Sequence, residues 1–510
     1  MNKTRTQNVV RNMWVGILFQ MISLILGFVS RTIFIKILGS EYLGLNSLFT
    51  NILTILSFAE LGIGNAIVFT MYKPLANKDY EKLKKLTKFY KDIYRKIAYT
   101  MIGVGLIITP FLPFIIKEIP DIKESIYLIY IIFLFDTSIS YFFSYRTSVI
   151  SADQKNYIII SYTHIFKIVQ IILQLSLLYY THNYLLYLGL QVLNTIITQT
   201  FMANKSKKMY PELKVVDGYT LEEKEKKAIF TNVKALFVYK FSSVVLNGTD
   251  SIIISKYLGL VTLGLYSNYY LIVSAVAQII SQIQNAFTSS VGNLIAKEDK
   301  TKSKKIFNQL FYFTGLIYCV IGSCLYLLFN DFITLWLGKE YLLSSFVVAM
   351  IVLHLCFNGM LFAVFTYRNT SGEFNHFKFV PVLGAIINIV LSIWFANIMG
   401  LGGIFLATIV SRALSGGWTD PYIVYKYVFK SSIIDYVIRC LKMIIRLAIS
   451  FALSYFIARN IVVTSITWFI VKGLIIATLS MLSYIVLSIK TEEFIGIKGV
   501  VFYLIKKKEQ

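Results

Sequence analysis

The stretch "LGSEYLGLNSLF", residues 38–49, returns in altered form as "LGLVTLGLYSNY" at residues 258–269, 220 positions further on. The match is ungapped and extends outward in both directions. Asn12 meets Asn232, Lys36 meets Lys256, Asn65 and Ala66 meet Asn285 and Ala286, and Ala76, Asp79, Lys82, Lys84 and Lys85 meet Ala296, Asp299, Lys302, Lys304 and Lys305. Leu and Ile coincide by chance in oily sequence. Gly, Asn and charged residues coinciding at one offset mark an internal duplication. A two-residue shift carries it on to "SYRT" at 144–147 against "TYRN" at 366–369.

The duplicated unit is lipid-embedded. Hydrophobic residues make up 56% of the 510 positions and charged residues only 15%, with a mean hydropathy of +0.67, more than a soluble core needs. Apolar runs of about 20 residues or more cover 13–38, 44–71, 97–116, 125–148, 157–180, 184–203, 229–256, 263–292, 306–329, 342–367, 377–398, 402–426, 437–458 and 464–489. Hydrocarbon offers no partner to an open sheet edge, and these runs lack the alternation of a barrel strand, so each is read as a helix. The predicted fold is all-α, with about 14 transmembrane helices. The first run is too long and too charged, through Arg31 and Lys36, for a cleaved signal peptide, and no small-x-small site follows it.

The net charge of +24 could point to nucleic acid, anionic lipid or an anionic substrate. Its placement decides. The Lys-rich segments "YKPLANKDYEKLKKLTKFYKDIYRK", "NKSKKMYPELK" with "EEKEKK", "AKEDKTKSKK" and "IKKKEQ" all follow even-numbered spans, whereas "GSEYLG", "THNY", "YLGLVT" and "MGLGG" follow odd-numbered ones. This is the positive-inside pattern of a chain with both termini cytoplasmic. Surplus charge holds anionic headgroups near the surface, and nucleic acid is not needed. Residues 79–96 carry Leu83, Leu86, Phe89, Tyr90 and Ile93 on one face and Lys on the other. They read as a short helix on the inner membrane surface or as a solvated loop.

Six spans return the chain to the same side, so the copies are parallel repeats that build two lobes about a central cavity, the geometry of alternating access. The expected organisation is an N-terminal lobe 1–203, a cytoplasmic linker 204–228, a C-terminal lobe 229–430, and an appended pair with a basic tail over 431–510. Enzyme signatures are missing. No Gly-rich phosphate loop precedes a Lys and Ser or Thr, no H-E-x-x-H occurs, and Cys319, Cys324, Cys356 and Cys440 lack metal spacing and read as packing. The outer loops are too short for a catalytic domain, and "NGT" at 247–249 lies inside a span. No cofactor or metal is expected.

The informative residues are those ionised at membrane depth, each costing at least about 2.5–3.5 kcal/mol at a helix centre. They are Arg31, Glu60, Asp136, Lys167, Lys240, Asp250, Arg412 and Arg446, with Arg146 and Arg368 nearer the cytoplasm. Lys36 and Lys256, at the outer ends of spans one and seven, can snorkel, and Arg446 reads as pairing or snorkelling. At the 220 offset Arg31 becomes Ser251, Glu60 becomes Ile280, and Asp250 answers to Ser30. A charge kept on one lobe is less easily ascribed to shared architecture; the competing reading is an internal salt bridge that fixes packing. A cavity lined by Arg and Lys suits phosphate or pyrophosphate, because guanidinium donates two parallel hydrogen bonds. Acidic residues would balance those cations or couple transport to H⁺ or Na⁺.

"LGSEYLGLNSLFTNILTILSFAELGIGNAI" followed by "YKPLANKD" resembles the Wzx-like oligosaccharide flippases of the polysaccharide transporter family, in the superfamily of lipid II flippases and multidrug extruders. "GFVSRTIFIKILG" at 27–39 is similar to the first helix of lipid II flippases. There a basic residue follows Gly-Phe-Val directly; here Ser30 takes that slot and Arg31 comes next, a turn of about 100° around the helix, while Lys36 aligns with a basic position. The resemblance implies transfer of an undecaprenyl-diphosphate-linked oligosaccharide to the outer leaflet of the bacterial cytoplasmic membrane, for capsule, exopolysaccharide or O-antigen. Polysaccharide polymerase and glycosyltransferases would be partners.

On this reading Arg31, Lys36, Arg146, Lys167, Lys240, Arg368 and Arg412 line the headgroup cavity, and Glu60, Asp136 and Asp250 couple or balance charge. Two alternatives compete. A cation-coupled drug extruder is disfavoured by the excess of basic residues at depth, and a non-transporting scaffold for polysaccharide enzymes by the cost of those charges.

Overall fold

The computed structural model describes residues 5–60, 63–213, 218–297, 299–371 and 379–499. Side chains of 5–17, 58–59, 65–66, 228, 231–247, 283, 285–290 and 292–297 are outside the description. Lys240 and the Asn65–Ala66 and Asn285–Ala286 pairs therefore have no described side chains, and Gly62 is outside altogether. Two compact units emerge, Met1–Gly264 and Leu265–Gln510. All regular elements among the described residues are helical.

In the first unit α1 (Arg5–Leu38) ends at Gly39 and α2 (Ser40–Leu56) follows; a 3-10 turn (Ser57–Glu60) then separates α2 from α3 (Ile63–Ala76). The expected second span is thus broken in its middle, at Glu60. Next come α4 (Tyr80–Ile108), the short α5 (Leu112–Ile115), α6 (Ile126–Ala152), α7 (Asn156–Thr181), α8 (Tyr184–Met209) and α9 (Glu223–Leu258). Helix α6 packs on α4 and α8, α1 packs on α7, and α9 lies along α2. Helix α10 (Leu260–Lys297) leads into the second unit.

The 220-residue offset has a structural counterpart. Gly39 breaks the chain between α1 and α2 at φ +87°, and Gly259 breaks it between α9 and α10 at φ +89°, a torsion glycine adopts freely and other residues do not. A Cβ on Gly44 would stand 2.2 Å from the Leu260 carbonyl oxygen, and one on Gly264 2.3 Å from that of Ser40. Each copy's glycine thus receives the other copy's backbone, a close approach that only small residues permit. The paired aspartates share a role as well. Asp79 caps α4 by accepting from the Lys82 amide at 2.9 Å, and Asp299 caps the next long helix by accepting from Lys300 at 2.8 Å.

Residues 79–96 form neither a separate surface helix nor a loop. They are the first half of α4, which runs unbroken into the third span because no Gly or Pro lies between Tyr80 and Met101. Leu83, Leu86, Tyr90 and Tyr94 are buried against protein, which replaces the expected contact with the membrane surface.

In the second unit α11 (Lys300–Trp336), α12 (Ser345–Met360), α13 (Phe362–Ser371), α14 (Val380–Leu414) and α15 (Gly416–Ile423) precede α16 (Ile433–Ala458) and α17 (Ile466–Val486). Gly400, at φ +62°, is the non-helical residue within α14 and divides the expected spans 377–398 and 402–426. The appended pair packs on α11. Ser450, Ser454 and Ala458 of α16 and Lys472, Ile476 and Ser480 of α17 are buried at four-residue spacing, and the small residues of α16 let the helices close up. Lys472 donates to Asp331 of α11 at 2.8 Å.

Eleven stretches among the described residues are long and apolar enough to cross a membrane. The expected spans 44–71 and 229–256 include residues or side chains outside the description and are not among them, and 377–398 and 402–426 are joined in one, Val380–Phe429.

Candidate functional site

The first unit sets two of the sequence-selected charges, Asp136 of α6 and Lys167 of α7, within electrostatic reach of each other, and a third, Arg31 of α1, beside Tyr187. Lys167 sits eleven residues into the 26-residue α7, about 17 Å along its axis and near its middle. Its Nζ donates to Gln170 Oε1 at 3.2 Å, and the same oxygen accepts from Asn194 Nδ2 of α8 at 2.9 Å. Gln170 passes the chain on to Gln174 Oε1 (3.0 Å), whose own amide donates to the Tyr187 carbonyl (2.8 Å). Asp136 of α6 accepts from Gln191 of α8 at 2.7 Å and lies within electrostatic reach of Lys167. Ser30 hydrogen-bonds the Tyr187 hydroxyl, with the Arg31 guanidinium close by. At the other end Ser23 of α1 meets His164 Nδ1 at 2.9 Å, and Phe19 stacks on that imidazole at 5.3 Å.

Helical spacing builds this network. His164, Lys167, Gln170 and Gln174 recur at three and four residues along α7, and Tyr187, Gln191 and Asn194 do so along α8, so each set forms one stripe. The amides were not among the residues selected from sequence, because that search took ionisable groups only. Their spacing within apolar runs is the signal that finds them. Gln170 and Gln174 are buried, whereas Lys167 is exposed. An ammonium has three donors, and Gln170 takes one, so a ligand can take others. Asp136 Oδ1 is buried without a hydrogen-bond partner, which leaves an acceptor in the same site. A cation with spare donors, held at mid-helix by buried amides and within electrostatic reach of a carboxylate, can receive an anionic group.

Glu60 forms a second cluster. It ends the 3-10 turn, and the Tyr141 hydroxyl hydrogen-bonds its carboxylate. Tyr94 stacks on Tyr141 at 6.5 Å and bonds Ser148. A Cβ on Gly64 would lie 3.5 Å from the Tyr94 hydroxyl and 3.7 Å from Glu60 Oε1. Both are ordinary contact distances, so Gly64 packs against this cluster without being required by it. Asp250 is buried on α9 beside the buried Ser251. Lys36 is exposed in the last turn of α1.

Arg146, near the end of α6, lies over the Tyr145 ring at 5.1 Å. Its carbonyl accepts from Ser206 at 2.9 Å, and beyond it Tyr210 donates to Asp153 at 2.7 Å, so α6 and α8 are tied at this end. Burial, aided by that carboxylate, pushes the Tyr210 phenol well above its ordinary pKa.

In the second unit Arg368 of α13 and Asp420 of α15 form an ion pair and are 6% and 2% exposed, so the arginine's charge is engaged inside the protein. Asp420 lies within the apolar run 402–426 and was not singled out from sequence; a carboxylate in "GGWTDP" was the available signal. Arg412, at the end of α14, is half-buried and within electrostatic reach of His354, whose ring lies 6.1 Å from Phe405. One turn before it, Thr408 accepts from Asn388 at 3.0 Å within α14.

A family model described as polysaccharide biosynthesis protein matches residues 9–288. No curated protein matches the chain by sequence. Among solved structures, the lipid II flippase MurJ in an inward closed conformation aligns over 93% of this chain and 98% of its own, at 17% identity and a TM-score of 0.63. An inward-facing multidrug resistance MATE family transporter of the MOP superfamily aligns over 78% and 94%, at 13% identity and TM-score 0.62. The Vibrio cholerae MATE transporter VcmN in its bent form aligns over 84% and 98%, at 13% and 0.51. At these identities the structures establish the fold, and the family match rests on the sequence. The chain is a multi-pass membrane protein with the fold of the MOP superfamily, and it belongs to the polysaccharide biosynthesis protein family.

Proposed function

We propose that this protein is a flippase that moves an undecaprenyl-diphosphate-linked oligosaccharide from the cytoplasmic to the outer leaflet of a bacterial cytoplasmic membrane by alternating access, for capsule, exopolysaccharide or O-antigen assembly. It works as a transporter and not as an enzyme, with fourteen spans and both termini inside. The carrying observation is the exposed Lys167 ammonium at mid-helix, braced by buried Gln170 and faced by Asp136. Charge at that depth is costly and is placed toward a pathway rather than toward lipid.

Lys167 and Arg31 would receive the diphosphate, with Lys36, Arg146 and Lys240 as further cations of the first unit and Arg412 as the candidate of the second, where Arg368 is already engaged by Asp420. Asp136, Glu60 and Asp250 would balance the cations when the site is empty or take up H⁺ or Na⁺. The polymerase and the glycosyltransferases would hand substrate on and off.

Deleting the gene tests the reading. Lipid-linked repeat units should build up on the inner face while surface polymer is lost. Loss of polymer with no such build-up would overturn it.

A further inference from the structure

A polar cleft of about 380 Å³ opens where α11 and α16 begin and α17 ends, lined in part by Asn308, Tyr312, Arg439, Lys442, Arg446 and Lys490. This is the end of the second unit that carries Lys-rich segments in the sequence. Its volume falls at the lower end of the range of about 300–1,000 Å³ for small-molecule sites. Arg439, Lys442 and Arg446 follow one another at three and four residues and so share one stripe of α16. The carboxylates here divide unequally. Asp435 takes Lys304 at 3.0 Å and Arg439 at 3.3 Å, and Arg439 also pairs with Glu493. That leaves Lys442, Arg446 and Lys490 opposed by Glu492 alone among the charged lining residues. Lys442 and Lys490 are exposed, while Arg446 is half-buried beside the Tyr312 and Tyr484 hydroxyls.

Tyr484 lies two residues before the end of α17. The cleft therefore sits where the apolar helix gives way to polar sequence. Ile438 of α16 lines the cleft, and Leu441 and Ile445 continue its stripe of that helix at three and four residues; all three are exposed apolar side chains. Three cations at the edge of an apolar face match a phosphate with hydrocarbon attached, the recognition used by basic pockets between membrane helices.

We propose that this cleft binds a phosphate-bearing anion through Lys442, Arg446 and Lys490, and that the apolar stripe beside it makes an anionic phospholipid headgroup the source. The site lies on the appended helix pair and α11, shares no residue with the transport site, and stands whether or not the flippase reading holds.

The full-length protein, delipidated in neutral detergent, is titrated with phosphatidylglycerol, phosphatidylcholine or inorganic phosphate and read by native mass spectrometry. Phosphatidylglycerol should bind in preference to phosphatidylcholine. The exposed pair K442Q/K490Q should weaken it about thirtyfold, from roughly fivefold for each lysine near a membrane surface. Phosphatidylglycerol adducts that survive millimolar phosphate assign the site to lipid. Inorganic phosphate that binds by itself, displaces the lipid and is lost in K442Q/K490Q keeps the site but makes its ligand soluble. Equal binding of both lipids, or phosphatidylglycerol binding untouched in a K442Q/K490Q protein of unchanged elution profile, overturns the proposal.

Discussion

Asp420→Asn isolates what Arg368 does. The pair is buried, at 6% and 2% exposure, so removing the carboxylate charge takes the Asp420 half of an ion pair away from a guanidinium inside the protein. Breaking such a pair from one side costs about 3–5 kcal/mol, on the order of a hundredfold or more in the folding equilibrium. Removing both charges, in R368Q/D420N, takes away that penalty, and the double variant should recover most of the lost stability. Thermal melting of the purified protein, followed by fluorescence-detected size exclusion, reads the series. Surface polysaccharide in a complemented deletion strain reads function beside it. If Arg368 also contacts substrate phosphate, the double variant regains its melting temperature and stays defective in polymer. If the arginine only fixes packing, both return together. A D420N protein that melts like wild type would refute the buried-pair reasoning itself.

Gly44→Ala should destabilise severely, because its Cβ would meet the Leu260 carbonyl oxygen at 2.2 Å and overpacking costs about 1–3 kcal/mol or more. Gly39→Ala has open space around its Cβ and should cost only backbone strain, about 1–3 kcal/mol for φ +87° with ψ −178°, a region glycine alone adopts readily; a Gly44→Ala protein that melts like wild type would contradict the close approach of Gly44 to Leu260. Lys167→Gln should abolish surface polysaccharide at normal protein level, and normal polymer would remove Lys167 from the transport site. Arg31→Gln and Arg412→Gln should do the same, assayed alike, and each residue stands or falls by its own result.

The helical membrane class was legible because a hydrocarbon environment leaves the backbone few choices, and composition reports that environment directly. Equivalent glycines were legible too, since matching Gly39 with Gly259 and Gly44 with Gly264 needs only alignment. Their reason was not: the clash each avoids involves a backbone oxygen 216 to 224 residues away in sequence. The continuity of 79–96 with the third span was missed, although no Gly or Pro breaks it, and so was the protein partner of its apolar face, because an amphipathic stripe looks the same against lipid as against protein.

Among the candidate residues, Arg31, Asp136 and Lys167 were singled out because charge in an apolar run is conspicuous. Gln170, Gln174, Gln191 and Asn194 were not, since an uncharged amide stands out only once helices are faced together. Asp420 shows the opposite limit: its charge was visible, but its pairing with Arg368 depends on the packing of α13 against α15.

The central claim is met most directly by reconstitution. Purified protein is placed in proteoliposomes carrying a fluorescent undecaprenyl-diphosphate-linked oligosaccharide, and the fraction reachable by an added glycan-cleaving enzyme is followed over time. The account predicts that this fraction rises beyond the outer-leaflet share with wild-type protein and remains at that share with Lys167→Gln. A fraction that never exceeds the outer-leaflet share with folded wild-type protein, across imposed H⁺ and Na⁺ gradients, would contradict it.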